Sequence, residues 1–352
     1  MEELQKLICS LVEIESVNPD LVAGGSGEGP IASFVAAWLR DAGLEVTLVE
    51  PSPGRPSVVG VLHGSGGGRS LMLNAHMDTV GAGGMADPFT PRVEDGRIYG
   101  RGACDMKASL AAIMLAAKRA PQLRGDLIVC AVADEEVASL GTAAVLERFH
   151  ADFGLVTEPT ELRLCLAHKG FVWLEVETAG LAAHGSRSDL GVDAIAAMGP
   201  VLTRIQALQN SLRASRRHPL LGSGSIHASL IQGGSEWSTY PARCVLKVER
   251  RTVPGEEWSD EIPGARVILE RPPSEVASDH PLTRAVSAAA HHPVEIGVAY
   301  WMDMALMNAA GIPTVCYGPA GEGEHADVEW VDVASVEGCV SVYLRAAEAL
   351  CI

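Results

Sequence analysis

The chain places imidazole and carboxylate side chains where they could hold metal ions. His76 and Asp78 follow the apolar run 71–75, and Asp105 lies in the glycine-containing segment 100–107. Further along the chain, the candidate donors are Asp134, Glu135, Glu136, Glu158 and His325. Two imidazoles and several carboxylates, most of them after a strand-like run, are the donors that a two-metal hydrolytic site needs. This set predicts metal-assisted hydrolysis.

The spacing of these donors favours a metal site over scattered surface acids. Glu135 and Glu136 are adjacent after an apolar strand, and they would repel each other in a buried place unless a cation were present. Asp78 follows His76 by two positions, which is typical of a carboxylate that orients a metal-binding imidazole. Taken singly, each acid could instead cap a helix or face solvent. The ordered set as a whole indicates a metal centre.

Alternating helix and strand patterns in the first half would bring these donors together. The spacing of apolar residues predicts helices over 3–14, 29–43 and 108–120 and strands over 44–50, 57–63, 71–75, 127–133 and 153–157. Buried apolar strands that alternate with helices predict an α/β sheet covered on both faces. Because ligands of such sheets bind beyond the carboxyl ends of the strands, the donors should meet at one edge.

The pattern changes at residue 168 and returns after the two prolines at 272–273. The middle of the chain predicts strands over 171–177, 225–231 and 244–249 and a helix over 192–209. The last part predicts helices over 282–290, 302–310 and 334–350 and a strand over 314–317. We therefore expect a catalytic domain formed by residues 1–167 and 274–352, with a smaller α+β domain, residues 168–273, inserted into it.

Composition and charge exclude several classes of protein. A formal net charge of −17 argues against nucleic acid as a partner, because phosphate binding needs clustered Lys and Arg. No run approaches the ~20 apolar residues of a membrane span, and the acidic N-terminus lacks the basic start of a signal peptide. We therefore expect a cytoplasmic protein without a membrane partner, whose eight scattered cysteines are reduced thiols. A basic patch, which could be a solvated helix end or could steer an anionic substrate, comprises Arg213, Arg216, Arg217 and His218.

Several motifs in a fixed order resemble those of a known family. They are His-x-Asp at 76–78, Gly-Arg-Gly-x-x-Asp-Met-Lys at 100–107, Glu-Glu at 135–136, Glu-Pro-Thr at 158–160, His-Lys-Gly at 168–170, Ala-His-Gly-Ser at 183–186 and Gly-Ile-Pro-Thr at 311–314. With them, nearly the whole chain resembles the M20 metallopeptidases and deacylases, which include acetylornithine deacetylase, succinyl-diaminopimelate desuccinylase and aminoacylases. The resemblance implies an α/β fold: a mixed-sheet zinc-hydrolase catalytic domain with an inserted lid and dimerisation domain.

The resemblance also implies a role for each site residue. One metal ion would be held by His76, Asp105 and Glu158, and the other by Asp105, Glu136 and His325, with Asp105 bridging. Asp78 would orient His76, and Glu135 would be the general base. His184 of the lid would stabilise the oxyanion in the active site of the partner subunit. Arg251 would bind the substrate carboxylate, and the backbone around Gly318 would lie near that carboxylate. Zinc is the expected metal, and the donors also permit cobalt or manganese.

The expected activity is removal of the acyl group from an N-acyl amino acid, of the acetylornithine-deacetylase type, by a homodimer. A dipeptidase or a carboxypeptidase could use the same site, since both cleave an amide beside a free carboxylate. A non-catalytic binding homologue is a third alternative, against which the intact Glu135 and the full donor set argue. The short segment 257–263 has room for about two turns at 3.6 residues each, so we expect one long helix in the inserted domain.

Overall fold

The structure, a computed structural model, describes residues 1–215, 218–259 and 261–352, so Arg216 and Arg217 of the basic patch lie outside the described residues. The helices of the described residues are α1 (Glu2–Glu13), α2 (Gly29–Asp41), α3 (Ala108–Arg119), α4 (Leu140–Leu146), α5 (Ala194–Ala214), α6 (Pro281–Ala289), α7 (Met304–Ala309) and α8 (Val333–Leu350). The strands are β1 (Glu45–Val49), β2 (Ser57–Leu62), β3 (Leu71–His76), β4 (Arg92–Glu94), β5 (Arg97–Tyr99), β6 (Leu127–Val132), β7 (Phe153–Val156), β8 (Leu164–His168), β9 (Gly170–Ala179), β10 (Ser225–Gly233), β11 (Arg243–Thr252), β12 (Arg266–Arg271), β13 (Ser274–Glu275), β14 (Glu295–Val298), β15 (Thr314–Cys316), β16 (Gly321–Glu322) and β17 (Trp330–Asp332).

The chain forms two compact units. The first comprises Met1–Leu166, Val276–Ile296 and Met302–Ile352, and the second comprises Ala167–Glu275 and Gly297–Trp301. The sequence pattern placed the inserted domain at 168–273. It gave no sign that a short piece of the last third, Gly297–Trp301, packs with the middle of the chain.

A mixed sheet forms the centre of the first unit. Its strands run in the order β1-β2-β6-β3-β7-β15-β8, and the neighbours β6, β3, β7 and β15 are parallel. β3 and β6 consist almost wholly of buried apolar residues, because layers of helices cover the sheet. The predicted α/β class with a mixed sheet is confirmed.

Apolar helices cover this sheet. In α3, every residue from Ala108 to Ala117 is buried, and the helix packs against α1, α8 and β3. α2 begins at Gly29 with Pro30 in its first turn, and Gly43 follows its end with φ 91°. This is the expected punctuation, because proline suits the first turn of a helix and glycine adopts the left-handed conformation after the last.

A second, smaller sheet of the first unit has the antiparallel order β16-β17-β5-β4. Its strands have only two or three residues, which is too short for a periodic pattern, and the sequence analysis did not predict them. Glu329, which directly precedes β17, is buried.

The second unit is an α+β arrangement. Its four-stranded antiparallel sheet has the order β10-β11-β9-β12. Because side chains alternate along a strand, one face of β9 points its apolar residues at α5. Residues of α5 that meet this face are Met198, Ile205 and Leu212, and those of β9 are Val172, Leu174 and Val176. Among its described residues the unit has one α-helix, which agrees with the expectation of a single long helix.

Two further expectations concern the whole chain. All eight cysteines are free thiols, and seven of them are buried. Within the described ranges, no helix combines the length and the apolar character that a membrane crossing requires.

Candidate metal centre and active site

The ends of three parallel strands bring the predicted donors to one edge of the central sheet. β3 ends at His76, β6 leads into Glu135 and Glu136, and β7 leads into Glu158. Because these strands run in parallel, their carboxyl ends lie side by side. Asp105 reaches the same place from an irregular helical turn, Ala103–Lys107, just before α3.

One group of donors comprises His76, Asp105 and Glu158. The Nε2 atom of His76 lies 2.9 Å from Oδ1 of Asp105 and 3.7 Å from Oε1 of Glu158. One donor atom of each residue lies within 4.8 Å of the other two. His76 and Glu158 are both buried, so this group is shielded from solvent.

A second group comprises Asp105, Glu136 and His325. Nε2 of His325 lies 3.4 Å from Oδ2 of Asp105 and 3.1 Å from Oε2 of Glu136. The two groups therefore share the carboxylate of Asp105, one oxygen facing each imidazole. One imidazole nitrogen with carboxylate oxygens in each group suits divalent ions such as zinc. Cys104, although adjacent to Asp105, directs its thiol to the Glu324 carboxylate, with Sγ 3.4 Å from Oε1.

The charges of the two groups perturb one another in the metal-free chain. Burial lowers the pKa of His76, but the negative charges of Glu158 and Asp105 outweigh it and raise that pKa well above its usual value. Hydrogen bonds to Asp105 and Glu136 raise the pKa of His325 to about 10. Burial raises the pKa of Glu158 well above its ordinary range. These shifts favour the protonated forms of the two histidines and of Glu158, and metal binding must release such protons.

Asp78 holds the site through both its backbone and its side chain. Its backbone oxygen lies 2.9 Å from Nδ1 of His76, whereas its nearest carboxylate oxygen lies 3.6 Å from that nitrogen. The carboxylate accepts hydrogen bonds from the backbone N–H groups of Glu135 (3.0 Å) and Glu136 (3.2 Å). The backbone carbonyl therefore orients His76 most directly, and the carboxylate fixes the turn that carries the two glutamates.

Glu329 plays a comparable part on the other side of the site, and the sequence analysis missed it. Its Oε1 accepts from the backbone N–H groups of Cys104 (2.8 Å) and Asp105 (3.0 Å). Its Oε2 accepts from the N–H of Gly102 and from the guanidinium of Arg101. The sequence gives one indication of this role of Glu329, an acidic residue within the otherwise apolar segment 328–331. The contacts themselves lie more than 220 positions apart in the chain.

Gly318 packs directly against the backbone that carries Glu158. A Cβ atom at this position would lie 2.0 Å from the Glu158 carbonyl oxygen, so a larger residue would displace one of the two segments. The Gly318 N–H donates to Oγ1 of Thr160. Gly318 therefore lies beside the donor groups, in contact with the backbone of Glu158.

His184 and Arg251 belong to the second unit, and the first unit brings together the other predicted residues. His184 is an exposed side chain whose Nδ1 lies 2.8 Å from Oγ of Ser186. Arg251 lies on β11, where its Nε donates to Glu249 at 2.7 Å and its guanidinium lies 5.1 Å from the centre of the Phe171 ring.

Comparison with known proteins agrees with this geometry. Residues 72–349 match the sequence profile of peptidase family M20/M25/M40. Acetylornithine deacetylase of Myxococcus xanthus is 30% identical over 359 residues, which cover 92% of this chain and 92% of the relative. Aminopeptidase PepT from Bacillus cereus superposes with a TM-score of 0.79 at 19% identity, over 99% of this chain and 98% of that one. The YXEP protein of Bacillus subtilis, described as a dinuclear metal binding peptidase of the M20 family, gives a TM-score of 0.68 at 19% identity, over 99% and 97%. The chain therefore belongs to peptidase family M20/M25/M40 and is a hydrolase that acts on amide bonds.

Proposed function

We propose that the protein is a dinuclear-metal amidohydrolase that cleaves the amide bond of an N-acyl amino acid, in the manner of an acetylornithine deacetylase. The observation that carries the proposal is the pair of donor groups that share Asp105, with Glu135 next in the chain to Glu136 of the second group. The similarity to a relative named acetylornithine deacetylase supports an acyl amino acid as the substrate class.

The two donor groups would hold two divalent ions, most simply zinc, with His76 and Glu158 on one side and Glu136 and His325 on the other. When bound, such ions supply a water of lowered pKa and polarise the amide carbonyl. The protein's own part is to keep Asp105 between them, through the hydrogen bonds of Glu329 to the Asp105 backbone.

Glu135 is suited to carry the proton. Its carboxylate is half-buried and has no hydrogen-bond partner in the part of the chain that the structure describes. Burial and the negative charge of Glu158 raise the pKa of Glu135 well above its ordinary value in the metal-free chain. A carboxylate at this position can take a proton from water and deliver it to the leaving amine.

The substrate carboxylate is assigned to Arg251 and the backbone around Gly318. Among the described residues, the guanidinium of Arg251 contacts one carboxylate, that of Glu249, through its Nε atom. A guanidinium gives a planar, two-point grip on a carboxylate through its other nitrogens. N-acyl amino acids should therefore be hydrolysed far better than their amides or esters, and equal rates on both would contradict this role.

On this proposal, His184 stabilises the oxyanion in the active site of the partner subunit of a homodimer. Its exposed imidazole could reach a second molecule. On this proposal, residues 168–273 form a lid and dimerisation domain of a cytoplasmic enzyme, and residues 1–167 and 274–352 form the catalytic domain. Mixing His184→Ala with Glu135→Gln subunits should restore activity, because each heterodimer has one intact site. Proven subunit exchange without recovery would show that His184 does not act across subunits.

One experiment tests the reaction class directly. Zinc- or cobalt-loaded enzyme should be assayed on N-acetyl and N-succinyl amino acids and on dipeptides, beside metal-free enzyme. We expect metal-dependent release of free amino acid, with N-acetyl amino acids preferred. Preference for dipeptides would favour the peptidase alternative. No turnover of any of these by metal-loaded enzyme would favour a binding homologue.

A further inference from the structure

Asn18 joins two buried carboxylates beside the site through its side-chain amide. Its Nδ2 donates to Oδ2 of Asp78 at 2.8 Å and to Oδ1 of Asp134 at 3.0 Å. Its Oδ1 accepts from the backbone N–H of Asp20 at 3.0 Å. Both N–H bonds of the amide and its carbonyl are thus used, in a side chain that is fully buried.

Arg55 completes this arrangement from the other side of Asp134. Its guanidinium donates to both oxygens of Glu28, at 2.7 and 2.8 Å, and to Oδ1 of Asp134 at 2.8 Å. Glu28 and Asp134 are fully buried and Arg55 nearly so. Buried carboxylates require such partners, because an unpaired charge away from water is strongly unfavourable.

The anchored residue, Asp134, has an uncommon backbone conformation directly before the two glutamates. Its φ is 67°, in the left-handed region that residues other than glycine seldom adopt. Its backbone N–H donates to Oε1 of Glu28 at 3.1 Å. The chain turns sharply out of β6 here, and the side chains of Asn18, Arg55 and Glu28 hold that turn.

We propose that Asn18 is a positioning residue for the turn that carries Glu135 and Glu136. The hydrogen bonds run from its amide to the Asp78 carboxylate, and from that carboxylate to the N–H groups of the two glutamates. The N–H groups of the amide also offset part of the repulsion between the carboxylates of Asp78 and Asp134. This inference rests on the proposed function, in which Glu135 and Glu136 serve catalysis.

The loop that carries Asn18 is also anchored by its backbone. Backbone hydrogen bonds already tie this loop to the segment after β3: the N–H of Asn18 donates to the Thr79 carbonyl at 2.9 Å, and the N–H of Thr79 donates to the Ser16 carbonyl at 3.0 Å. Substitution of the side chain should therefore loosen the glutamate turn while the loop stays in place.

The test compares Asn18→Leu, which keeps the size but removes the donors, with Asn308→Leu. Asn308 is a matched amide that ties α7 to Thr314 through Nδ2 (3.0 Å) and Oδ1 (2.9 Å). In Asn18→Leu we expect faster hydrogen–deuterium exchange at the amides of residues 135–136 in the metal-free protein, with no change at 102–105. We also expect kcat to fall by roughly 10- to 100-fold at unchanged KM, as is typical of residues that support metal ligands.

Asn18→Ser retains one donor, so it should give an intermediate exchange rate and an intermediate kcat even if Asn18→Leu folds poorly. Unchanged exchange at 135–136, or an equal kcat loss in Asn308→Leu, would overturn the proposal. Failure of the wild-type enzyme to hydrolyse any N-acyl amino acid would refute the proposed function instead. The exchange measurement on metal-free protein is independent of that outcome.

Discussion

The two donor groups share one carboxylate and the same kinds of donor, but their histidines differ in burial and in hydrogen-bond partners. His76 lies at the end of the central strand β3 and is 1% exposed, whereas the side chain of His325 is 55% exposed and lies in a loop, with φ 60°. His76 has partners at both ring nitrogens, on Asp78 and on Asp105. In the described part of the chain, His325 has partners at Nε2 alone.

The difference between the two histidines separates tight metal binding at one group from access of water and substrate at the other. A buried, doubly oriented imidazole loses little freedom on binding an ion, because its position is already fixed. An exposed loop histidine must be ordered, and water reaches it. We expect the group of His76 to hold its ion more tightly and the group of His325 to form the open side of the site.

The largest effect should follow from removing the residue that the two groups share. Asp105→Ala deletes a donor from both, so neither ion should bind stably and hydrolysis should fall to the level of metal-free enzyme. Elemental analysis after metal loading and dialysis checks this. Two retained ions would mean that Asp105 does not bridge the groups.

Glu135→Gln separates proton transfer from both groups. Glu135 is a ligand in neither, so the variant should keep two ions and lose kcat by about a hundredfold or more, as expected for a positioned proton carrier. Ion content and kcat are measured on the same preparation. A fully metallated variant with near-normal kcat would refute the assignment.

Substitution of each histidine compares the groups directly. His325→Ala should lose one ion and keep the other, with a smaller loss of thermal stability than His76→Ala, because the side chain is largely exposed. His76→Ala should lose the other ion and also lower the melting temperature, since it empties a buried position. Stepwise chelation of the wild-type enzyme should remove the ion of the His325 group first. Simultaneous loss of both ions would contradict the comparison.

The smallest effect concerns the pH dependence of the metal-free protein. Folding raises the pKa of His325 from 6.5 to about 10, so its contribution to stability is complete below pH 6.5 and is lost as the pH rises towards 10. The stability difference between wild type and His325→Ala should shrink over this range. The variant comparison is needed because burial lowers the pKa of Lys107 to about 7, which gives the opposite slope. A difference that grows with pH would contradict the prediction.

Much of the catalytic unit could be predicted from the sequence, because its signals are local. The buried strands β3, β6 and β7 read as continuous apolar runs, and their donors follow them directly. Parallel pairing then requires the donors to meet. The strands of the second sheet were not predicted, since two or three residues are too few to show an alternation, and α4 was missed because it spans only about two turns.

The sequence alone determined which side chains can bind metal, in what order they follow the strands, and to which family the motifs are similar. The side chains that hold these donors in place are visible only in the folded chain. Asn18 meets Asp78 across 60 positions and Glu329 meets Asp105 across 224, and no local pattern marks either pair. A buried carboxylate is stabilised by the hydrogen-bond donors that lie next to it in the fold, and which donors those are depends on how distant segments pack.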